Sequence, residues 1–367
     1  VNGFNKSTGG FVLVVVLWSI AALTLIAGGI IARIDTTLEQ SFRMQKIARR
    51  EQDAMATEQT LLYLISALPY NAAGINLSPA PRAQESLDPL SRAPPRGISP
   101  TLRFDGTRYP GIGSVKFAIQ DVGGTFSLFE PTDETWRNMM NLFGIDAATG
   151  SRWRDELADY QDHNDFSRLN GAEADVYRRL GLPDPPNRFM ISPHELRNLP
   201  IALDYPDLTE RLIGINSTSP ISNANLNTSP AEMLRLHHNL SPAAAARLQQ
   251  LRTRLLISNA TEAAAVTGIV IPAWSLSTAW QPTGRVRLIL YTPEGRQLSW
   301  ITVTFTPNVN GGPWLVEYQH PVDLPIREET QPADAFSAGF QPAEQALPAT
   351  SWARYQTFFP SRLPLDR

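Results

Sequence analysis

Cysteine is missing altogether from these 367 residues, which removes disulfides, thiolate catalysis and Cys-ligated zinc or iron–sulfur centres in one step. Strong charge of either sign is also lacking. With 35 acidic and 32 basic residues the formal net charge is −3, so there is no basic field of the kind nucleic acid requires. No H-E-x-x-H, G-x-S-x-G or phosphate-loop pattern occurs. Histidine is sparse, and the adjacent pair His237 and His238 cannot share one helix face. His163 and His194 complete the set weighed for metal or proton transfer, and a surface or helix-end role is the expected one for each. A last scarcity is local: from Ile30 to Leu68 there is neither Gly nor Pro, which leaves nothing to interrupt a helix.

What is present begins at residues 7–18, STGGFVLVVVLW. From Phe11 to Ala32 the chain runs 22 residues without a charge, about 33 Å as a helix, which matches the hydrocarbon thickness of a bilayer. A cleaved secretory signal has a shorter apolar core of about 7–15 residues and a small-residue cleavage site; here Arg33 follows the run directly. Beyond it Ile34, Leu38, Phe42, Ile47, Ala54, Leu61, Ile65 and Leu68 recur at helix-like intervals. One helix of roughly 58 residues and 87 Å can therefore reach from Phe11 to Leu68; a membrane anchor followed by a separate amphipathic helix is the alternative. Arg33, Arg43, Lys46, Arg49 and Arg50 follow the span. A simple positive-inside count would keep that side in the cytoplasm, but long domains often cross regardless of such charge.

From Pro69 to Pro110 eight prolines predict an irregular linker. Val115, Phe117 and Ile119 then alternate with polar or small residues, DVGGT supplies turn residues, and Phe126 and Leu128 resume the alternation, which predicts a hairpin. Residues 131–258 carry helix starts: SPHE at Ser192–Glu195 and SPAE at Ser229–Glu232 each place Ser at the N-cap, Pro at the first position and Glu three after the cap. A third start, Ser241-Pro242, follows soon after, and two related helical hairpins are the natural grouping. Their turns lack the glycine that a DNA-gripping helical hairpin uses on a phosphate, so they read as a protein–protein surface. Arg285–Thr292, Leu298–Phe305 and Trp314–Gln319 are β-rich runs that predict a meander. The tail from Ile326 shows no sustained period.

The segment DYQDHNDFSRLNGAEAD places Asp159, Asp162, Asn164, Asp165, Glu173 and Asp175 within seventeen residues. Hard oxygen donors at this density suit calcium, which takes six to eight, although the EF-hand order is absent. A solvated loop, in which Asp and Asn satisfy turn backbone groups, is the alternative.

Four segments in order resemble the K-type minor pseudopilin of the type II secretion system: GGFVLVVVLWSIAAL, FAIQDVGGTFSL, the block from Leu157 to Pro200, and NANLNTSPAEMLRLHHNLSPAAAARL. The resemblance implies an α+β, pseudopilin-like fold, in which a long N-terminal transmembrane and amphipathic helix packs on an antiparallel sheet and an all-helical domain with two helical hairpins is inserted. It implies a leader at 1–10, removed by prepilin peptidase between Gly10 and Phe11, a transmembrane helix at 11–32 and its periplasmic continuation at 33–68. The linker at 69–110 and hairpin at 111–130 precede the inserted domain at 131–262, the β-meander at 263–325 and an irregular tail at 326–367. It implies a structural calcium site at Asp159, Asp162, Asn164, Asp165 and Glu173, with Asn164 standing where Asp is usual in the family. Val15 stands where most pseudopilins carry Glu; K-type subunits resemble this chain in that respect, which suits a position at the tip. The expected function is non-catalytic: an inner-membrane, periplasm-facing cap on the pseudopilus with I- and J-type minor pseudopilins, with no nucleic acid and no small-molecule substrate. A single-pass adaptor or receptor outside such a machine is the alternative, and a metal-dependent enzyme is the third.

Overall fold

The computed structural model describes residues 9–77, 101–129, 131–219, 225–238, 240–257, 259–268, 280–306 and 312–321. The tail from Ile326 and residues 1–8 of the expected leader lie outside them. The uninterrupted run does form one helix, α1 (Gly9–Ala67), which stops where Pro69 disfavours α geometry in the residue before it. It belongs to two compact units, one ending at Asp53 and one beginning at Ala54. In the first unit the helix is long and apolar enough to cross a membrane, with a mean hydropathy of 2.5 over its best window. Of the predicted stripe, Ile34, Leu38, Phe42 and Ile47 remain exposed in the chain alone. Leu61, Leu62, Leu64 and Ile65, in the second unit, are buried.

Those four residues pack on a sheet. Its five strands lie in the order β10-β9-β8-β5-β4, all antiparallel: β4 (Asp105–Pro110), β5 (Lys116–Asp121), β8 (Arg285–Tyr291), β9 (Gln297–Phe305) and β10 (Trp314–Pro321). The β8–β10 meander stands where alternation and turn residues predict it. Register aligns Phe117 with Leu290 and Ile119 with Leu288, and these side chains share a core with Leu61, Ile65, Val303 and Ile301. Residues of the opposite face, among them Trp300 and Tyr318, enter a second core made with the helices. Alternation along each strand thus feeds two cores at once.

Two expectations fail here. Residues 69–110 contribute strands rather than only a linker: β1 (Tyr70–Asn71), β2 (Gly74–Asn76) and β3 (Thr101–Arg103) form a small sheet, and β4 joins the main one. The Asn71 carboxamide accepts from the N–H groups of Ala73 and Gly74, which closes the β1–β2 turn within four residues. Pro110 is tolerated because it ends an edge strand. The hairpin at 111–130 is also not formed. β5 pairs with β4 and β8, whereas β6 (Phe126–Ser127) pairs in parallel with β7 (Asn216–Ser217). Between them Val122–Gly124 is a single 3-10 turn. Asp121 accepts from Gly123 N and from both the N–H and the hydroxyl of Thr283, so the turn leaves the sheet instead of folding back on it.

Everything from β6 to Thr283 is therefore inserted between the neighbouring strands β5 and β8. The β6–β7 pair joins the two ends of a first helical block, α2 (Asp133–Leu142), α3 (Ala147–Gln161), α4 (Ala174–Leu180), α5 (Pro200–Asp204) and α6 (Pro206–Ile215). Trp136, Trp153, Tyr177, Leu196 and Leu212 fill its interior. A second block, α7 (Ala231–His238), α8 (Pro242–Leu251) and α9 (Ala260–Thr267), has its own core of Leu226, Leu234, Leu248 and Ile257.

The two capping-box sequences do not start equivalent hairpins. At Ser192 the reciprocal box forms, but Pro200 follows so soon that it opens only a 3-10 segment, Pro193–Asn198. At Ser229 the hydroxyl is buried without a hydrogen-bond partner, and the residue is the end of a turn in which its N–H donates to Asn225 O at 2.8 Å. Ser241 does cap α8, accepting from Ala244 N.

Candidate functional site

The acidic segment lies where α3 ends and before α4 begins. Asp159, on the last turn of α3, is fully buried. Its carboxylate accepts from Arg168 Nη1 at 2.7 Å and from Arg168 N at 3.0 Å. The same Nη1 donates to Asp162 Oδ2 at 2.6 Å, so one guanidinium bridges two of the predicted ligands. Asp162 Oδ1 accepts from the backbone and side-chain N–H groups of Asn164, whose own Oδ1 accepts from Phe166 N at 2.8 Å. These are successive Asx turns. Asp165 accepts from Asn187 Nδ2 at 3.2 Å, and Asp175 pairs with Arg179 at 2.9 Å.

Gly171 permits this fold of the loop. A Cβ there would stand 1.9 Å from Asp159 Oδ2, so no other residue fits beside the buried carboxylate.

Glu173 differs from its neighbours. It is buried, and both carboxylate oxygens lack a hydrogen-bond partner. Burial, reinforced by Asp159, Asp162 and Asp165 and opposed by Arg168, pushes its carboxyl up to about 7. Asp159, Asp162 and Asn164 are thus gathered through Arg168 and local turns, and Asp165 is held from outside the loop by Asn187. Among the described residues, no three His, Cys, Asp or Glu side chains are placed to hold a metal. Arg168, which reading the acids alone overlooks, is the loop's internal cation; its sequence signal is a lone basic residue inside an acidic run.

The second motif, from Asn225 to Glu232, forms a knot that is buried from Asn225 to Pro230. Asn225 Nδ2 donates to Ala72 O, and Asn227 exchanges side-chain hydrogen bonds with the backbone of Ile257, 2.9 Å each way. Thr228 donates to Asp121 Oδ2 at 2.9 Å. Arg103, on β3, donates to Asn227 O and Arg252 O and pairs with Asp105 at 2.7 Å. Arg252 lies 3.5 Å from the same carboxylate. Burial pushes Asp105 up, but Arg103 and Arg252 more than offset it and hold the carboxyl below the usual range. Asparagine here satisfies buried backbone groups, so the motif anchors the second helical block to the sheet.

Of the histidines, His194 departs from the expected surface or helix-end role. His163 is exposed, and His237 lies in the last turn of α7, but His194 is half-buried and stacks on His320 of β10 with centroids 3.8 Å apart. His320, within a strand pattern, carried no sequence signal for this pairing.

Residues 123–204, from the 3-10 turn through α5, match the family described as Type II secretion system (T2SS), protein K. That stretch contains the whole acidic loop. No curated protein matches the chain in sequence. A chain in the crystal structure of the GspK-GspI-GspJ complex from the enterotoxigenic Escherichia coli Type 2 Secretion System is similar, with 15% identity and a TM-score of 0.49, over 77% of this chain and 99% of its own length.

Proposed function

We propose that this chain is a K-type minor pseudopilin: a non-catalytic, single-pass inner-membrane subunit whose sheet and helical insertion face the periplasm, where it caps a secretion pseudopilus with I- and J-type partners. The observation that carries the reading is the family match over 123–204, because it falls on the helical block inserted between adjacent strands of a sheet on which the C-terminal turns of α1 pack. A membrane-competent helix ahead of that sheet is in keeping with it. Prepilin peptidase is proposed to cut between Gly10 and Phe11, leaving the apolar run as an anchor. Co-expression with I- and J-type subunits, followed by extraction and N-terminal sequencing, tests both points. The expected result is a ternary complex in which this subunit begins at Phe11; purification of the chain alone, with the segment before Phe11 retained, would favour the plain adaptor.

Calcium at the acidic loop belongs to the same proposal. Its support is Glu173, whose two oxygens are buried, unpartnered and electrostatically coupled to Asp159, Asp162 and Asp165. Binding requires Arg168 to give up its place between Asp159 and Asp162. Calcium is then expected to raise the melting temperature through linkage, and Arg168→Gln to strengthen the effect while Glu173→Gln weakens it. Melts that ignore calcium in all three proteins would leave Arg168 as the loop's only cation.

A further inference from the structure

β10 is an edge strand, hydrogen-bonded along one side to β9. Leu315 and Val316 near its start are exposed, so its side-chain attachment to the helical block falls to Tyr318 and His320. Tyr318 joins the core of that block. His320 stacks on His194, which packs edge-on against Trp300 of β9 at 4.8 Å. Both imidazoles also meet one hydroxyl. Ser192 Oγ is 3.0 Å from His320 Nε2 and 3.2 Å from His194 Nδ1, and it accepts from His194 N as well.

A serine hydroxyl carries one hydrogen. With both rings neutral the arrangement is complete: one ring N–H donates to Oγ, and the Oγ hydrogen is donated to the bare nitrogen of the other ring. Once both rings are protonated, no bare nitrogen is left to accept that hydrogen, and two cations lie face to face at stacking distance.

The surroundings make protonation worse. Arg197, on the 3-10 segment, and Arg287, on β8, both oppose charge on His194. Arg287 is fully buried beneath Trp300, its guanidinium carbon 3.7 Å from the ring centroid. It donates to the Gly214 and Asn216 carbonyls, and among the described residues no carboxylate pairs with it. Glu195 is the acid that favours charge on His320. It is already committed, accepting from Ile191 N, Ser192 N and Tyr160 and pairing with Arg188. Tyr318, with its ring 6.2 Å from His320, completes the groups facing the pair.

We propose that the His194–His320 stack is a proton-operated latch that holds edge strand β10 against the helical block near neutral pH and releases it in acid. Burial, then His320, Arg197 and Arg287, holds His194 down at about 3, and burial lowers His320 too. Since both folded values lie below the usual 6.5, their contribution to stability is present above about 6.5 and is lost as pH falls from there toward the folded values. Release would free the strand that leads into residues 322–367 while β5 and β8, in the middle of the sheet, stay paired.

Hydrogen–deuterium exchange on the full chain in detergent micelles tests this, comparing pH 7.5 with pH 4.5 after correction for intrinsic exchange. Residues 314–321 are expected to lose protection by about tenfold or more, equivalent to one pKa unit of linkage, while residues 116–121 keep theirs. His194→Phe, which keeps a ring in the stack without a titrating nitrogen, should reduce the selective loss to the share carried by the remaining histidine. His320→Gln, at the more accessible ring, should do the same and serves if the first variant does not fold. Equal acid loss in the variants, or no selective loss in the native chain, would overturn the latch.

Discussion

At the scale of single residues, chemistry follows from who stands beside whom rather than from residue type. Asp159 and Glu173 are both acids at the base of one loop, yet Asp159 has Arg168 and Glu173 has nothing. The folded-state pKa of Glu173, about 7 against 4.5, fixes a sign. The native state holds an extra proton between those values, so its favourable contribution is full below about 4.5 and is lost as pH rises through 7. Glu173→Gln is therefore expected to make the calcium-free melting temperature, followed from pH 5 to 7.5, change in the upward direction relative to that of the native chain. A steeper decline in the variant would contradict the assignment. The acids were legible in the sequence because hard oxygens at that density are unusual. Their internal partner was not, because an arginine nine residues beyond Asp159 announces no direction.

Elements show the same division. Alternation in Arg285–Thr292, Leu298–Phe305 and Trp314–Gln319 specifies strands, and short Gly-containing turns specify their neighbours, so the meander is read correctly. Phe117–Ile119 and Phe126–Leu128 alternate equally well, yet they enter different sheets. The decision rests with Asp121. It is fully buried and accepts from Gly123, Thr228 and Thr283, although burial dominates and raises its pKa. At Gly123 a Cβ would stand 2.1 Å from Thr283 Cγ2, so the turn closes on a residue 160 positions away and not on its own strand. Asp121→Ala strands several buried donors and is expected to destabilise the fold by roughly 2–3 kcal/mol. Asp121→Asn keeps an acceptor oxygen and should cost less; thermal or urea unfolding ranks the two. An equal loss for both would mean that the carboxylate charge, rather than its acceptor capacity, sets the turn.

For the molecule as a whole, an insertion of this size depends on its attachments. The β6–β7 pair closes the first helical block, and the knot around Asn225, Asn227 and Arg252 fastens the second to β3 and β4. At the centre two buried guanidiniums, Arg103 and Arg252, share the Asp105 carboxylate, all three side chains being about 5% exposed. Burial brings Arg252 down to about 10 against the pull of Asp105. Asp105→Asn leaves two buried cations uncompensated, and about 3–5 kcal/mol of stability should be lost. Because Asp105 is held below the usual carboxylate range, its contribution stands above that range and disappears as pH falls through the folded value. Limited proteolysis near residues 225–257 provides the local readout: the variant should be cut there first, and unchanged cleavage would show that the ion triad does not hold this block.

The sequence by itself determined the long helix, because an absence of Gly and Pro from Ile30 to Leu68 leaves helix as the uninterrupted solution and the first 22 apolar residues can enter a bilayer. It also determined the strand content of the C-terminal sheet, the acidic loop and a helical segment in the middle, since each is written in local period or local composition. Only the tertiary structure decided which strands are neighbours, that residues 105–110 join the main sheet, and that the Asn-rich motif is a buried anchor. It also decided that two distant histidines meet. Local period is a property of a few consecutive side chains, whereas pairing across an insertion is set by burial and hydrogen bonding between residues more than a hundred positions apart.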